Sequence, residues 1–372
     1  MSLAQLASRF SQRLLDRLSP NLADHVSDRV AQRRHVQSGD AWNWKPGRAC
    51  PRRRCEAGGI QIGSQLLLIG GFETMDRVHD TIDVFDMERE AWVKNWPLPA
   101  GMPHSHHGMA SDERRFAYAA AGQVGPQCSP ATAKVFSIDA EAGEVRELPS
   151  LPSARYAPVA ALLGNRLHVV GGSAGDRSTP LADHWSIGVE AGRATEPTWT
   201  EEPGIPRAGT HRGHAVVVGA LLVFGGQEGD IRPRQGDPAY CCNFETPLET
   251  LYPEVYRFGP RDSGWERLAD MPESISHIEG CSTVFGPHIL IFAGIEARYA
   301  LTNTIKALDT RTGRWRIVGS MPRYFKNAVV GRIGRTVFFV TGQCSKSSSD
   351  RFPGRVLSSV WKARIPDFID QA

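Results

Sequence analysis

One pattern recurs along the whole chain: an apolar run closed by two glycines or their near equivalents. It appears as Leu66-Leu67-Leu68-Ile69-Gly70-Gly71, Phe116-Ala117-Tyr118-Ala119-Ala120-Ala121-Gly122, Leu167-His168-Val169-Val170-Gly171-Gly172 and Leu221-Leu222-Val223-Phe224-Gly225-Gly226. Ile289-Leu290-Ile291-Phe292-Ala293-Gly294 and Val337-Phe338-Phe339-Val340-Thr341-Gly342 complete the series. Copies roughly 50 residues apart have the period of a propeller blade, a unit too small to bury its own apolar faces and stable only beside its neighbours.

Each copy carries further regularities. A second apolar segment lies upstream, separated from the run by a short turn such as Gly63-Ser64, Gly164-Asn165, Gly219-Ala220, Gly286-Pro287 or Gly334-Arg335, which predicts a hairpin. A third strand is expected downstream, at Ile82-Asp83-Val84-Phe85 and Val255-Tyr256-Arg257-Phe258 for example, followed by Trp92, Trp199, Trp265 or Trp315 ahead of a turn. A Gly-Gly pair, a spaced aromatic and a Trp together resemble the kelch repeat, which implies one four-stranded blade per repeat over about residues 40 to 365. The finer resemblance is to plant kelch-repeat proteins of the galactose oxidase/kelch superfamily. It rests on Gly122-Gln123-Val124-Gly125-Pro126-Gln127-Cys128, Pro152-Ser153-Ala154-Arg155-Tyr156-Ala157-Pro158, His184-Trp185-Ser186-Ile187, Gly226-Gln227-Glu228-Gly229-Asp230 and Ser276-His277-Ile278-Glu279. That group carries no settled activity to transfer.

The expected fold is an all-β, six-bladed kelch propeller over residues 39–368, preceded by a helical extension over residues 1–38. Trp44 stands in the Trp position with no strands before it, and the last repeat lacks a fourth strand. The two halves are expected to complete one blade, so that an N-terminal strand removes the open edges. In the extension, Leu3, Leu6, Phe10, Leu14 and Leu18 share a helical face beside Arg9, Arg13 and Arg17. A weaker second helix would carry Leu22, Val26 and Val30. A basic amphipathic leader of this kind also admits a targeting role, with a soluble cytoplasmic protein as the default.

The composition, 41% apolar with 37 Gly and 25 Pro in 372 residues, suits many short strands and turns. A net charge of +3 gives no footing for nucleic acid, and no stretch reaches the roughly 20 apolar residues that cross a bilayer. Seven cysteines argue against a fully paired disulfide framework, and Cys50/Cys55 and Cys241/Cys242 lack zinc-site spacing. Residues 228–251 widen one repeat, a long loop of the sort that often carries function.

In a kelch blade the first strand lines the axis, and the loop after the second opens at the face where the first begins. Counting back 14 residues from each Gly-Gly-like pair then gives Glu56, His107, Ala157, His211, Glu279 and Asn327. Counting from the tryptophans moves the second and fifth blades to His104 and His277. Imidazoles and carboxylates converging from several blades are ligands for Fe, Cu or Zn. The expectation is a metal held by His107, His211 and His277, with Glu56, Glu279 and Tyr156 as catalytic groups. Arg155, Lys326, Gln123, Gln227 and Gln343 would bind a small-molecule ligand at the same mouth, with Arg155 equally readable as a structural residue bridging blades. The galactose-oxidase tyrosine and crosslinked cysteine set has no counterpart. A family iron site of Glu, Asp and His at four-residue steps fails at Ser274, after Glu266 and Asp270. The reading leans to a metal-dependent enzyme of unassigned reaction. Set against it is a kelch scaffold that binds a protein partner without catalysis.

Overall fold

The computed structural model describes residues 20–37, 39–126, 130–229, 250–297, 300–345 and 351–370. Residues 1–19, most of the 228–251 insertion, and Cys128, Cys241 and Cys242 lie outside the described residues.

The chain is an all-β propeller, with one α-helix among the described residues, near the N-terminus. Antiparallel sheets follow one another: Gly58–Ile62, Gln65–Ile69, Thr81–Asp86 and Ala91–Pro97 form one, and Gly108–Ser111, Phe116–Ala120, Val135–Asp139 and Val145–Leu148 the next. Val159–Leu163, Arg166–Val170, His184–Glu190 and Thr200–Glu202 follow, then Gly213–Val217, Ala220–Phe224, Val255–Phe258 and Glu266–Arg267. Ser282–Phe285, His288–Phe292, Ala300–Asp309 and Arg314–Lys326 begin a larger sheet, which also takes in Gln343–Ser345 and Pro353–Val356. The last sheet runs Val329–Ile333, Thr336–Val340, Val360–Arg364 and Lys45–Pro46.

The first strands close on themselves. Gly58–Ile62 lies against Gly108–Ser111, that strand against Val159–Leu163, and so on through Gly213–Val217, Ser282–Phe285 and Val329–Ile333 back to Gly58–Ile62. The core sits between neighbouring sheets. Leu67, Ile69, Ile82 and Val84 meet Met109, Ala117, Ala119 and Ile138 of the next sheet, while Leu66, Leu68 and Phe85 meet Val329, Phe338 and Val340 of the last. Alternate residues of the Leu66–Ile69 run thus feed opposite interfaces, which is why the run is apolar on both faces.

Two devices read from the sequence appear in the coordinates. The hairpin glycines Gly63, Gly164, Gly219, Gly286 and Gly334 take φ between 55° and 72°, as tight two-residue turns require. N-terminal Lys45 and Pro46 pair with Lys362 and Trp361, covering the edge of Val360–Arg364. The blade tryptophans also tie adjacent sheets together. Each indole donates to a carbonyl of the preceding sheet or its connection: Trp92 to Arg48 at 3.2 Å, Trp199 to Pro149 at 2.9 Å, Trp265 to Pro203 at 2.8 Å, Trp315 to Ala269 at 3.2 Å and Trp44 to Ser320 at 3.0 Å.

The helix, Pro20–Gln37, starts with Pro at a position that needs no amide donor. It includes the expected Leu22, Val26 and Val30, of which Val26 and Val30 are exposed. Polar contacts seat it: Asp24 accepts from Arg53 and Arg355 at 2.8 and 2.9 Å, and Asp28 pairs with Arg323 at 3.2 Å. No helix of the described residues is long and apolar enough to cross a membrane. Cys50, Cys55, Cys281 and Cys344 are buried.

Candidate functional site

Where each first strand begins, one residue per sheet adopts a left-handed backbone: Glu56, His106, Ala157, His211, His277 and Asn327, with φ between 43° and 57°. Non-glycine residues pay about 1–2 kcal/mol for that conformation. Hydrogen bonds running from sheet to sheet hold them there. His106 donates its amide to Glu56 O (3.4 Å), Ala157 to His106 O (2.7 Å), His277 to His211 O (3.1 Å) and Asn327 to His277 O (3.3 Å). The Thr210 hydroxyl reaches Ala157 O at 3.3 Å. The result is a ring at one mouth of the central channel.

This ring corrects two positions of the glycine count. In the second sheet the equivalent residue is His106 rather than His107, because the hairpin between Ser111 and Phe116 is one residue longer than its counterparts. In the fifth it is His277 rather than Glu279. Cys281, opposite Phe292, takes the place that Gly213 holds opposite Phe224, so Ile278 and Glu279 are a two-residue insertion. The insertion folds as a turn closed by Cys281 N to Ile278 O at 3.1 Å, and no strand alternation aligns Glu279 with His277.

The turn delivers Glu279 to its neighbours, where its carboxylate accepts a short hydrogen bond from His211 Nδ1. Glu56 accepts from Lys326 Nζ at 3.2 Å and from Asn327 Nδ2, whose amide also faces Glu279 at 3.5 Å. The His277 ring stacks on His211 at 4.0 Å between centroids and 9° between planes, and His106 stands edge-on to His211 at 5.6 Å. Ser105 and Ser276 each hydrogen-bond Nδ1 of the following histidine at 3.0 Å. Burial pushes the Glu56 carboxyl up; Lys326 and His211 pull the other way, and Glu279 adds to the rise.

The expected metal trio does not assemble. Among the described residues, the metal-ligating atoms that converge within 4.8 Å of one another belong to Glu56, His211 and Glu279. Of the three expected histidines only His211 takes part: His277 is its stacking partner, and His107 turns into the channel through space left by Gly58, where a Cβ would meet its Nε2 at 1.8 Å. His107 is buried; burial, with His104 beside it, pushes its pKa down to about 3 against a backbone hydrogen bond to Ser105. His214, on the same channel wall, is pushed down to about 4 by burial.

Of the expected ligand-binding residues, Lys326 is at the ring. Gln123, Gln227 and Gln343 flank it, each bridging to the residue before a ring position or, for Gln343, to Lys326 itself. Tyr156 is buried edge-on to His106 at 6.4 Å and beneath the Arg177 guanidinium at 4.7 Å, with Arg177 donating to Gln123 at 3.2 Å. Arg155 takes the structural of its two readings, not the ligand-binding one. It is fully buried and committed to Gly171 O (3.2 Å), Ser153 Oγ (2.7 Å) and Asp183 (2.6 Å), so its charge braces the blade instead of facing a ligand. Arg54 and Arg212 repeat the device on Gly70 O and Gly225 O.

Sequence reasoning leaves His104, His106 and His107 all available for the second blade and chooses His107 by the glycine count; it passes over Arg177 and His214. The doubled Ser-His pair, Ser105-His106 and Ser276-His277, is the signal that identifies His106. Below the ring a channel of about 650 Å³ runs between the first strands, with Gly and Ala the commonest residues of its wall and with His107, His214 and Glu279 on its lining together with Asp112, Glu113 and Arg332.

Residues 154–206 match the Kelch motif family. The chain is 33% identical over 328 residues, 87% of its length and 76% of the relative's, to Kelch repeat-containing protein At3g27220 of Arabidopsis thaliana. The solved structure of YjhT covers 86% of this chain and 97% of its own at a TM-score of 0.65; at 10% identity that likeness is one of fold.

Proposed function

Because the chain belongs to the kelch-repeat proteins, we propose that it works as a binding propeller and that it holds a small molecule in its axial channel. The reading takes the closed cycle of first strands as six blades over residues 39–368, with residues 1–38 as an extension. One observation carries it: the channel of about 650 Å³ falls within the several hundred Å³ of ordinary ligand pockets. Neutral imidazoles at His107 and His214, and charge at Asp112, Glu113 and Arg332, suit a polar ligand that accepts and donates hydrogen bonds.

A thermal-shift screen against sugars, amino acids and carboxylic acids tests this, repeated on Thr283→Trp. Thr283 lines the channel and is partly buried, so an indole there fills the space. Ligands that raise the wild-type melting temperature and leave a folded Thr283→Trp variant unshifted support the reading; equal shifts in both proteins refute it. A second reading, a protein-binding scaffold, has its own observation. The ring face carries the extra hairpins Phe72–Thr74/Arg77–Val78 and Gln343–Ser345/Pro353–Val356, with Phe352 exposed beside the latter. Partner capture that survives Thr283→Trp and is lost in Phe352→Ala favours that reading.

A further inference from the structure

We propose that the ring is a site for one divalent transition ion of the zinc or manganese kind, held by Glu56, His211 and Glu279 with Asn327 Oδ1 as a fourth ligand. The site lies at the mouth of the proposed ligand channel but does not depend on it, since an ion can bind here in a protein that takes no small molecule.

Three independent features point to it. The ligand atoms of Glu56, His211 and Glu279 already lie within 4.8 Å of one another. Donors at the usual 2.0–2.2 Å from an ion are at most about 4.4 Å apart, so the cluster closes by a few tenths of an ångström. Next, a separate cavity of about 20 Å³ opens among Glu56, His106, His107, Glu279 and Asn327. That is room for a single water-sized species, and a monatomic ion is no larger.

Finally, a buried polar atom beside this cavity lacks a partner. Asn327 is 7% exposed and its Oδ1 has no hydrogen-bond partner, although its Nδ2 lies between the two carboxylates. The two ends of an amide have nearly the same shape, so half a turn of the side chain replaces a donor between two anions with an acceptor facing a cation. His107, 5% exposed, borders the same cavity and can accept from a water on the ion.

The donor set selects the ion. Calcium takes six to eight oxygen ligands and magnesium a near-ideal octahedron rich in water, whereas two carboxylates, one imidazole and an amide oxygen suit zinc or manganese. Lys326, on the other oxygen of Glu56, offsets one carboxylate charge and leaves Oε2 for the ion.

The test uses the full chain without a metal-binding tag, stripped with chelator and titrated calorimetrically with Zn²⁺ and with Mn²⁺. The expected result is one ion per chain. Glu279→Gln should weaken binding by at least about tenfold, as loss of even an outer-sphere partner does, while His288→Asn, on the strand behind, should leave it unchanged. If Glu279→Gln does not fold, pulsed electron spin resonance of Mn²⁺ on the wild-type protein decides, with coupling to one imidazole nitrogen expected from His211. No stoichiometric binding, unchanged affinity in a folded Glu279→Gln variant, or bound manganese without nitrogen coupling each overturns the proposal.

Discussion

Replacing Arg155 by Ala separates a bracing role from a ligand-binding one. The guanidinium has 0% exposure, and its loss removes the bonds to Gly171 O and Ser153 Oγ together with the pair to Asp183. Breaking a fully buried pair costs about 3–5 kcal/mol. Here the lower end applies, because the Asp183 side chain is 29% exposed and water takes up part of the loss. Burial by itself would raise the Asp183 carboxyl, yet hydrogen bonds from Arg155 and Trp185 hold it below its ordinary value, so the pair is formed and favourable. A loss of about 3 kcal/mol lowers the melting temperature of a domain this large by roughly 4 °C. Lysine at 155 should not restore it, since one ammonium cannot serve three acceptors in a plane. Differential scanning calorimetry on wild type, Arg155→Ala and Arg155→Lys reads this directly. An Arg155→Ala protein that melts within a degree of wild type would refute the bracing role.

Trp44→Ala removes a fully buried indole stacked on Trp42 at 5.8 Å and edge-on to Phe292 at 6.1 Å. The loss should be about 3–5 kcal/mol, and a denaturant midpoint matching wild type would contradict the closure of the last sheet. Acid stability should depend on His168 and His184, which are buried 2.9 Å apart. Burial, with the neighbouring imidazole for His168, pushes their pKa values down to about 3 and about 4 from 6.5. Both stay neutral in the folded chain while the unfolded chain takes up protons, so stability falls as pH drops through 6.5 and levels off near the folded values, by on the order of 3 kcal/mol for His184 alone. Melting temperatures that are flat between pH 7 and 4.5 would count against this. Thr341→Gly should raise stability by about 1 kcal/mol, because Thr341 has φ 60° and a buried hydroxyl without a partner. A lower melting temperature would show that its packing outweighs the strain.

Much of the fold was legible because a propeller repeats itself: the Leu66–Ile69 run, its hairpin turn and Trp92 recur often enough for one blade to interpret the next. Closure by residues 40–46 was legible for the same reason, since a Trp without strands and strands without a Trp complement each other. The site was harder to read. A count along the chain assumes constant hairpins, and one extra residue after Ser111 and two before Cys281 moved the count off the ring. Those two residues are also what brings Glu279 to His211, so the irregularity that misled the count builds the cluster. Arg155 admitted both readings because its charge is visible in the sequence, while its acceptor, the carbonyl of Gly171, is not. The helix over Leu22, Val26 and Val30 was legible from its period, but its seat was not, because that seat is made of carboxylates reaching arginines some 30 to 330 residues away, a pattern with no local period.

Crystals grown with Mn²⁺ and measured at the manganese absorption edge address the assembled ring most directly. The account predicts one anomalous peak about 2.0–2.2 Å from oxygens of Glu56 and Glu279 and from a nitrogen of His211, with the Asn327 amide turned to present its oxygen. A map with no peak there, or with the three side chains directed into separate blades, contradicts it.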